Sequence, residues 1–437
     1  MTYKETIEYL YASAPLFQQV GAGAYKEGLE TTRLLDAHFG HPHRRFATIH
    51  IAGTNGKGSC TSTIAAILQA AGLRTGLYTS PHLTDFRERI RVNGEMISRE
   101  RVVRFVEEER AFFEPLRPSF FELTTALALQ HFAEEQVDIA VIETGLGGRL
   151  DCTNIIKPLV SIITNISLDH TQFLGESRAA IAAEKAGIIK HKTPVIIGES
   201  DAETRPVFTH QAEQMQAPIH FAEDTPQVLS STMGEDGKWV YETRSFGTII
   251  GELGGRCQPR NANTLLCALE VLLPLLPHAH ITEEHIRQGF AHVCSLSGLA
   301  GRWQTLQTAP RVVCDTGHNA GGWEHIGAQL RAQHCRTMRI IIGMAADKDT
   351  SAVLSRLPQE AVCYFTRASV KRSLDEQTLG KQAQGLGLQG KTYATVMQAY
   401  RAALAEAHPD DFIFVGGSTF VVADLLEGLS ESHCEAF

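Results

Sequence analysis

Lys57 stands between two glycines, with a third glycine four residues before it, in the run Gly53-Thr54-Asn55-Gly56-Lys57-Gly58-Ser59. Glycines let backbone N–H groups turn toward an anion, and a lysine beside them neutralises phosphate oxygens. The apolar run 47–51 precedes the loop and helical patterning over 61–71 follows it, the setting in which such a loop holds a nucleotide. The common spacing is G-x-x-x-x-G-K-[ST]. Here the first glycine lies three residues before Gly56, and Gly58 separates Lys57 from Ser59. A glycine-rich turn with a solvated lysine is the plain alternative, and three glycines in this setting weigh against it.

Three further stretches, 78–83, 142–151 and 166–175, close apolar runs at what would be the same edge of a parallel sheet, where ligands bind. Magnesium on a nucleotide needs oxygen ligands, a few from protein and the rest from phosphate and water. Ser80 and Glu143 supply oxygen. His170 is a less typical magnesium ligand and by residue type reads as structural; Glu143 alone reads as a strand-end acid, and only their joint placement points to a metal. Lys185, in 184–190, sits on a helical pattern where a solvated face is an equal reading. Arg302 could grip phosphate in bidentate fashion, and Asp315 beyond a strand could take ribose hydroxyls.

These groups need a scaffold to hold them. Short branched runs at 46–51, 75–79, 137–143, 159–166 and 194–198 alternate with helical spacing over 59–71 and 124–136, which implies parallel strands and crossover helices. Residues 216–255 change to short alternating runs, such as 239–241 and 248–250, and predict an antiparallel appendage. Helical patterning returns at 261–275 and 282–290. The small residues of 295–301 read as a linker, after which α/β alternation restarts at 311–314, 338–342, 362–365 and 412–415. The expected fold class is therefore α/β: a mostly parallel phosphate-loop sheet with a small antiparallel appendage, then a smaller Rossmann-like α/β domain. At 437 residues, two domains are the default.

Composition narrows the function classes. With 43% hydrophobic and 20% charged residues the chain can bury a core, and a formal charge of −9 argues against a general nucleic-acid or membrane-surface binder, though not against a local basic pocket. Nine scattered cysteines without a Cys-x-x-Cys pair read as packed, reduced thiols. Residues 1–20 lack a signal-peptide pattern and no run reaches the length of a membrane span, so a cytoplasmic location is expected.

The loop's spacing resembles that of the Mur ligase superfamily, which joins carboxylates to amines using ATP. Taken with 79–83, 143–154, 168–175, 184–190, 301–304, 315–319 and 343–349, the chain resembles the folylpolyglutamate synthase family, in particular its bacterial bifunctional dihydrofolate synthase/folylpolyglutamate synthase members. Two departures stand out. The family's Asp-x-Ala-His-Asn-Pro reads Asp315-Thr316-Gly317-His318-Asn319-Ala320, and an Asp-Leu-Gly near the N-terminus reads Lys26-Glu27-Gly28.

The resemblance implies a 1–296 domain binding ATP and pterin and a 297–437 glutamate-ligase domain. It implies that Thr54, Asn55, Gly56, Lys57, Gly58 and Ser59 bind ATP phosphates, with Asn261, Arg302 and Asp315 completing the nucleotide site, the latter two across the domain interface. Ser80, Glu143 and His170 would coordinate Mg2+, at one of two metal sites, and Lys185 would be carbamylated. Ser119, Phe120, Phe121, Glu122, Leu150, Asp151 and Cys152 would hold the pterin. His318 and Ser418 would serve the incoming glutamate or the acyl-phosphate step, making Lys57, Lys185 and His318 the catalytic set. The implied partners are ATP, L-glutamate and dihydropteroate or a reduced folate, acting on a monomer without nucleic acid or membrane. A Mur-type cell-wall ligase and a non-enzymatic nucleotide switch are the competing readings; the latter would need neither Lys185 nor Asp151.

Overall fold

The computed structural model describes residues 1–13, 28–234 and 236–434; Lys26 and Glu27 of the departing N-terminal loop lie outside them. The chain divides into two compact units, Met1–Glu252 with Cys257–Leu299, and Leu253–Arg256 with Ala300–Phe437.

In the first unit the branched runs become strands, because β-branched side chains pack well on a pleated surface. These are β1 (Ala47–Ala52), β2 (Thr75–Tyr78), β3 (Ile90–Val92), β4 (Glu95–Met96), β5 (Ile139–Glu143), β6 (Val160–Ile163), β7 (Val195–Ile197) and β8 (Ile219–Phe221). They form one sheet in the order β4-β3-β2-β5-β1-β6-β7-β8. The β2–β3 and β3–β4 pairings are antiparallel, and the remaining pairings are parallel. β1 is central, with Ile51 opposite Glu143 of β5 and Ala52 opposite Ile163 of β6.

Both faces of this sheet are covered, as a parallel sheet requires. Ile49, Ile51, Val141 and Ile162 pack with Ile64 and Leu68 of helix Lys57–Ala70 and Leu266 of helix Gln258–Leu272. On the other face, Ala140 and Ile142 meet Phe105 of helix Arg99–Phe113 and Phe132 of helix Phe120–Glu134. Burial of a side chain such as Phe132 stabilises by about 2–3 kcal/mol. A separate antiparallel sheet of β9 (Val228–Met233), β10 (Trp239–Thr243) and β11 (Thr248–Gly251) is the expected appendage.

The second unit holds β12 (Gln304–Thr308), β13 (Arg311–Asp315), β14 (Met338–Ile342), β15 (Val362–Thr366), β16 (Gln389–Tyr393) and β17 (Phe412–Gly416), ordered β12-β13-β17-β14-β15-β16. Only β12 is antiparallel to its neighbour among these described strands. Gln329, on helix Ala320–Arg331, ties 254–256 to this unit by accepting from Arg256 N and donating to Gly254 O, both at 2.8 Å.

Two expectations need correction. Helix Lys57–Ala70 starts four residues before 61, because left-handed Gly56 turns the chain straight from loop to helix. The first part of the expected 295–301 linker is helical (Val293–Ser297), stopped by Gly298 at φ 72. A Cβ there would meet the Arg91 guanidinium at 2.5 Å, so this turn is packed rather than loose. Among the described residues no helix is long and apolar enough to cross a membrane.

Candidate functional site

The carboxyl ends of β1, β2, β5 and β6 carry the loops singled out in the sequence. Gly53 and Gly56 have φ of 148 and 84, a region side chains rarely adopt. A Cβ on Gly53 would lie 1.8 Å from Thr164 Oγ1, and one on Gly56 would lie 2.5 Å from Asn261 Oδ1. The loop is laced to the segment after β6. Thr54 N donates to Asn165 O (2.9 Å), Asn55 N to Asn165 Oδ1 (3.0 Å), and Thr164 Oγ1 to Asn55 O (2.6 Å). Ser167 N donates to Thr54 Oγ1 at 3.1 Å. Ser59 Oγ receives Gln258 Nε2 at 3.4 Å, and Gln258 Oε1 receives Asn261 Nδ2 at 3.0 Å, so Asn261 does join the loop. Gly58 lies in the first turn of the helix.

Two lysines converge on one carbonyl. Lys57 Nζ donates to Gly53 O at 3.1 Å and Thr54 O at 3.2 Å; Lys185 Nζ donates to Gly53 O at 2.8 Å. The solvated-face reading of Lys185 is therefore wrong: its side chain points inward and only 4% of the residue is exposed. Burial, reinforced by the Lys57 charge, lowers its pKa from 10.5 to about 7 against the pull of Asp169 and Asp151. The helix carrying it, Arg178–Ala186, is held close by glycines. Arg149 N donates to Glu184 O at 2.7 Å, and a Cβ on Gly148 would be 2.9 Å from Lys185 O.

Ser80 and Glu143 are brought together: Ser80 N donates to Glu143 Oε2 at 3.3 Å, and Glu143 is buried. His170, in the left-handed region at φ 51, donates its backbone N–H to the side chain of Asp169, with its ring Nε2 3.8 Å from Asp169 Oδ2. Among the described residues no group of three His, Cys, Asp or Glu side chains is disposed to hold a metal by itself.

The residues implied for the pterin carry structural work of their own. Ser119 and Glu122 form a capping box on helix Phe120–Glu134, each side chain accepting from the other's backbone N–H. Phe120 is buried beneath the Arg89 guanidinium, 5.3 Å from its ring centroid. The Phe121 ring packs on Gly145, where a Cβ would lie 2.5 Å away. Asp151 caps the turn Cys152–Ile155 and accepts from Leu146 N at 2.8 Å and Thr153 N at 3.0 Å. Burial raises its pKa and pushes the Cys152 thiol well up; Leu150 beside it is part-buried.

In the second unit, Asp315 at the end of β13 accepts from Trp303 N and Gly317 N, both at 2.8 Å, while burial raises its pKa. Arg302 donates to Gly301 O at 3.2 Å and to the Thr316 hydroxyl. His318 Nδ1 lies 3.1 Å from Thr316 O, and a carbonyl only accepts, so Nδ1 carries a proton. Asn319 caps helix Ala320–Arg331 through Gly322 N. Buried Ser418 receives Phe420 N at 3.2 Å, beside Gly417, whose backbone approaches Gly343 O so closely that a Cβ would lie 2.6 Å away.

Asn165, Thr164 and Gln258 were not singled out from the sequence, and Ser167 and Thr153 only as members of the stretches 166–175 and 143–154. An asparagine directly after a buried strand was the available signal for the first.

Residues 51–235 match the family model "Mur ligase middle domain", and 301–419 match "Mur ligase, glutamate ligase domain". The chain is 34% identical to dihydrofolate synthase/folylpolyglutamate synthase of Bacillus subtilis, over 80% of this chain and 84% of that protein. It is 32% identical to folylpolyglutamate synthase of Lacticaseibacillus casei, over 98% and 99%. A third relative, the probable bifunctional folylpolyglutamate synthase/dihydropteroate synthase of Haloferax volcanii, is 32% identical across 97% of this chain, which spans half of that protein's length. Among solved structures, Mycobacterium tuberculosis folylpolyglutamate synthase complexed with ADP superposes with a TM-score of 0.87 at 29% identity, covering 98% of each chain. E. coli FolC in complex with DHPP and ADP gives 0.83 at 30% identity, covering 99% of each.

Proposed function

The chain belongs to the folylpolyglutamate synthase/dihydrofolate synthase family, and on that premise we propose that it joins L-glutamate to the carboxylate of dihydropteroate or a reduced folate at the expense of ATP. The observation that carries the site reading is the convergence of Lys57 and Lys185 on Gly53 O: two amine side chains bonded to backbone carbonyls, beside a loop built for an anion.

The substrate carboxylate attacks the γ-phosphorus of ATP, the bond to the β-phosphate oxygen breaks, and ADP leaves. Lys57 and the N–H groups of the first helical turn spread the charge that develops on the transferred group. The amine of glutamate then attacks the acyl carbon, phosphate leaves, and the amine loses a proton. His318 is the group we assign to that proton, with Ser418 as a hydroxyl contact for glutamate. Thr54, Asn55, Gly56, Gly58, Ser59 and Asn261 hold phosphates; Arg302 and Asp315 are the further residues we assign to the nucleotide. Ser119 to Glu122 and Leu150 to Cys152 hold the pterin. The expected intermediate hydrolyses readily, so the site must exclude water.

Ser80 and Glu143 fit a magnesium ion, being adjacent oxygen donors, with His170 as a further contact. When bound, the metal supplies charge neutralisation to the triphosphate. Lys185 fits a carbamate: its lowered pKa gives neutral amine at physiological pH, able to take up carbon dioxide.

Heavy oxygen placed in the folate carboxylate tests the acyl-phosphate route. Transfer of one labelled oxygen to inorganic phosphate is expected, and its appearance in water with none in phosphate would sink the route.

A further inference from the structure

His50 is completely buried in β1, where the positions sharing its face are Thr48 and Ala52, both buried. An imidazole in such a place is costly unless its polar atoms are used. One is used: Nε2 lies 2.8 Å from the hydroxyl of Thr153, itself completely buried. Thr153 in turn gives its hydroxyl proton to Asp151 Oδ1, to which its backbone N–H also donates.

Counting protons fixes the direction of this chain. A hydroxyl has one hydrogen, and an ionised carboxylate only accepts, so the Thr153 proton points at Asp151. Thr153 Oγ1 must then accept from His50, which places the ring proton on Nε2 and leaves Nδ1 bare. Nδ1 is indeed buried without a hydrogen-bond partner, and an unsatisfied acceptor is the cheaper of the two orphans to leave. Burial also holds the ring neutral, with a pKa lowered to about 3.

From this geometry we propose that His50 and Thr153 are positioning residues for substrate binding: they orient Asp151 and favour its ionised form against the cost of burial. This rests on the reading of Asp151 as a substrate contact. The pair acts on the carboxylate rather than on the loop as a whole. The loop has separate anchors: Asn154 Nδ2 donates to Arg149 O and Gly187 O, each at 3.0 Å, and Arg149 N donates to Glu184 O. His50 also lies three residues before Gly53, so a single strand supports both the phosphate loop and the substrate loop.

The test uses the full-length enzyme with tetrahydrofolate varied at saturating ATP and glutamate, then ATP varied at saturating folate. Thr153→Val removes the hydroxyl at nearly constant shape. Losing one hydrogen bond to a charged group should raise the folate KM about tenfold. The ATP KM should stay within about twofold, and Thr153→Ser should restore most of the affinity. His50→Leu should act in the same direction, and the His50→Leu/Thr153→Val double variant should be no worse than the weaker-binding single one, because both break one chain. His50→Gln, which keeps an N–H donor, serves if His50→Leu fails to fold, and should bind folate more tightly than Thr153→Val. Asp151→Asn separates the two readings. If it leaves the folate KM unchanged, Asp151 is not a substrate contact. If it raises that KM while folded Thr153→Val does not, or if folate and ATP KM rise together in Thr153→Val, the positioning role is overturned.

Discussion

Replacing Lys185 with methionine should make the protein more stable and inactive at once. The side chain is buried, and its pKa falls from 10.5 to about 7, so the folded state resists carrying the charge that the unfolded state holds freely. A depressed pKa gives stability that is fully present above 10.5 and is lost as pH falls through 7. At pH 6 the wild type should therefore bear a penalty of roughly 4–5 kcal/mol relative to a neutral side chain, and at pH 9 roughly 2 kcal/mol. Methionine fills similar volume without a charge, although it gives up the bond to Gly53 O, worth about 1 kcal/mol. Urea unfolding of both proteins in buffer free of carbon dioxide should show Lys185→Met ahead at pH 6, with its margin shrinking by roughly 2–3 kcal/mol at pH 9. A margin independent of pH, or a less stable variant at pH 6, would refute the claim that the buried amine is held near neutrality. Activity should be lost at both pH values; full activity in Lys185→Met would remove the residue from the site.

Other substitutions test separate parts. Lys57→Ala should lower kcat by about a thousandfold while leaving the melting temperature nearly unchanged, since among the described residues Lys57 bonds backbone carbonyls of its own loop. Gly56→Ala forces a side chain into a left-handed position and against Asn261, and calorimetry should show ADP binding weakened about tenfold or more. Ser119→Ala removes a capping box and should cost about 1 kcal/mol in denaturant unfolding; an unchanged stability would argue that the cap is dispensable.

Much of the scaffold was legible because buried parallel strands need short branched runs, and 338–342 or 139–143 hardly read as anything else. Strands β12 and β16 escaped notice because sequences such as Gln304–Thr308 and Gln389–Tyr393 are polar and half-exposed at a sheet edge, without the apolar signal of a central strand. The phosphate loop declared itself through glycines that the backbone does require. Lys185 did not: a lysine at one helical position looks the same whether it faces water or a carbonyl 132 residues away. Ser119 and Glu122 show the reverse problem. Their spacing is a capping signature as much as a substrate motif, and the structure uses them as a cap. Asn165 and Thr153 act by bonding to groups that folding brings near, which spacing along the chain does not encode.

The most direct measurement is ADP release by the purified protein, with dihydropteroate or tetrahydrofolate and with or without L-glutamate, together with the mass of the pterin product. ADP release that requires glutamate, and a product heavier by one glutamyl residue with at least one of the two acceptors, is the expected result. ADP release that ignores both the pterin and glutamate, or a pterin recovered unchanged, would contradict the assignment.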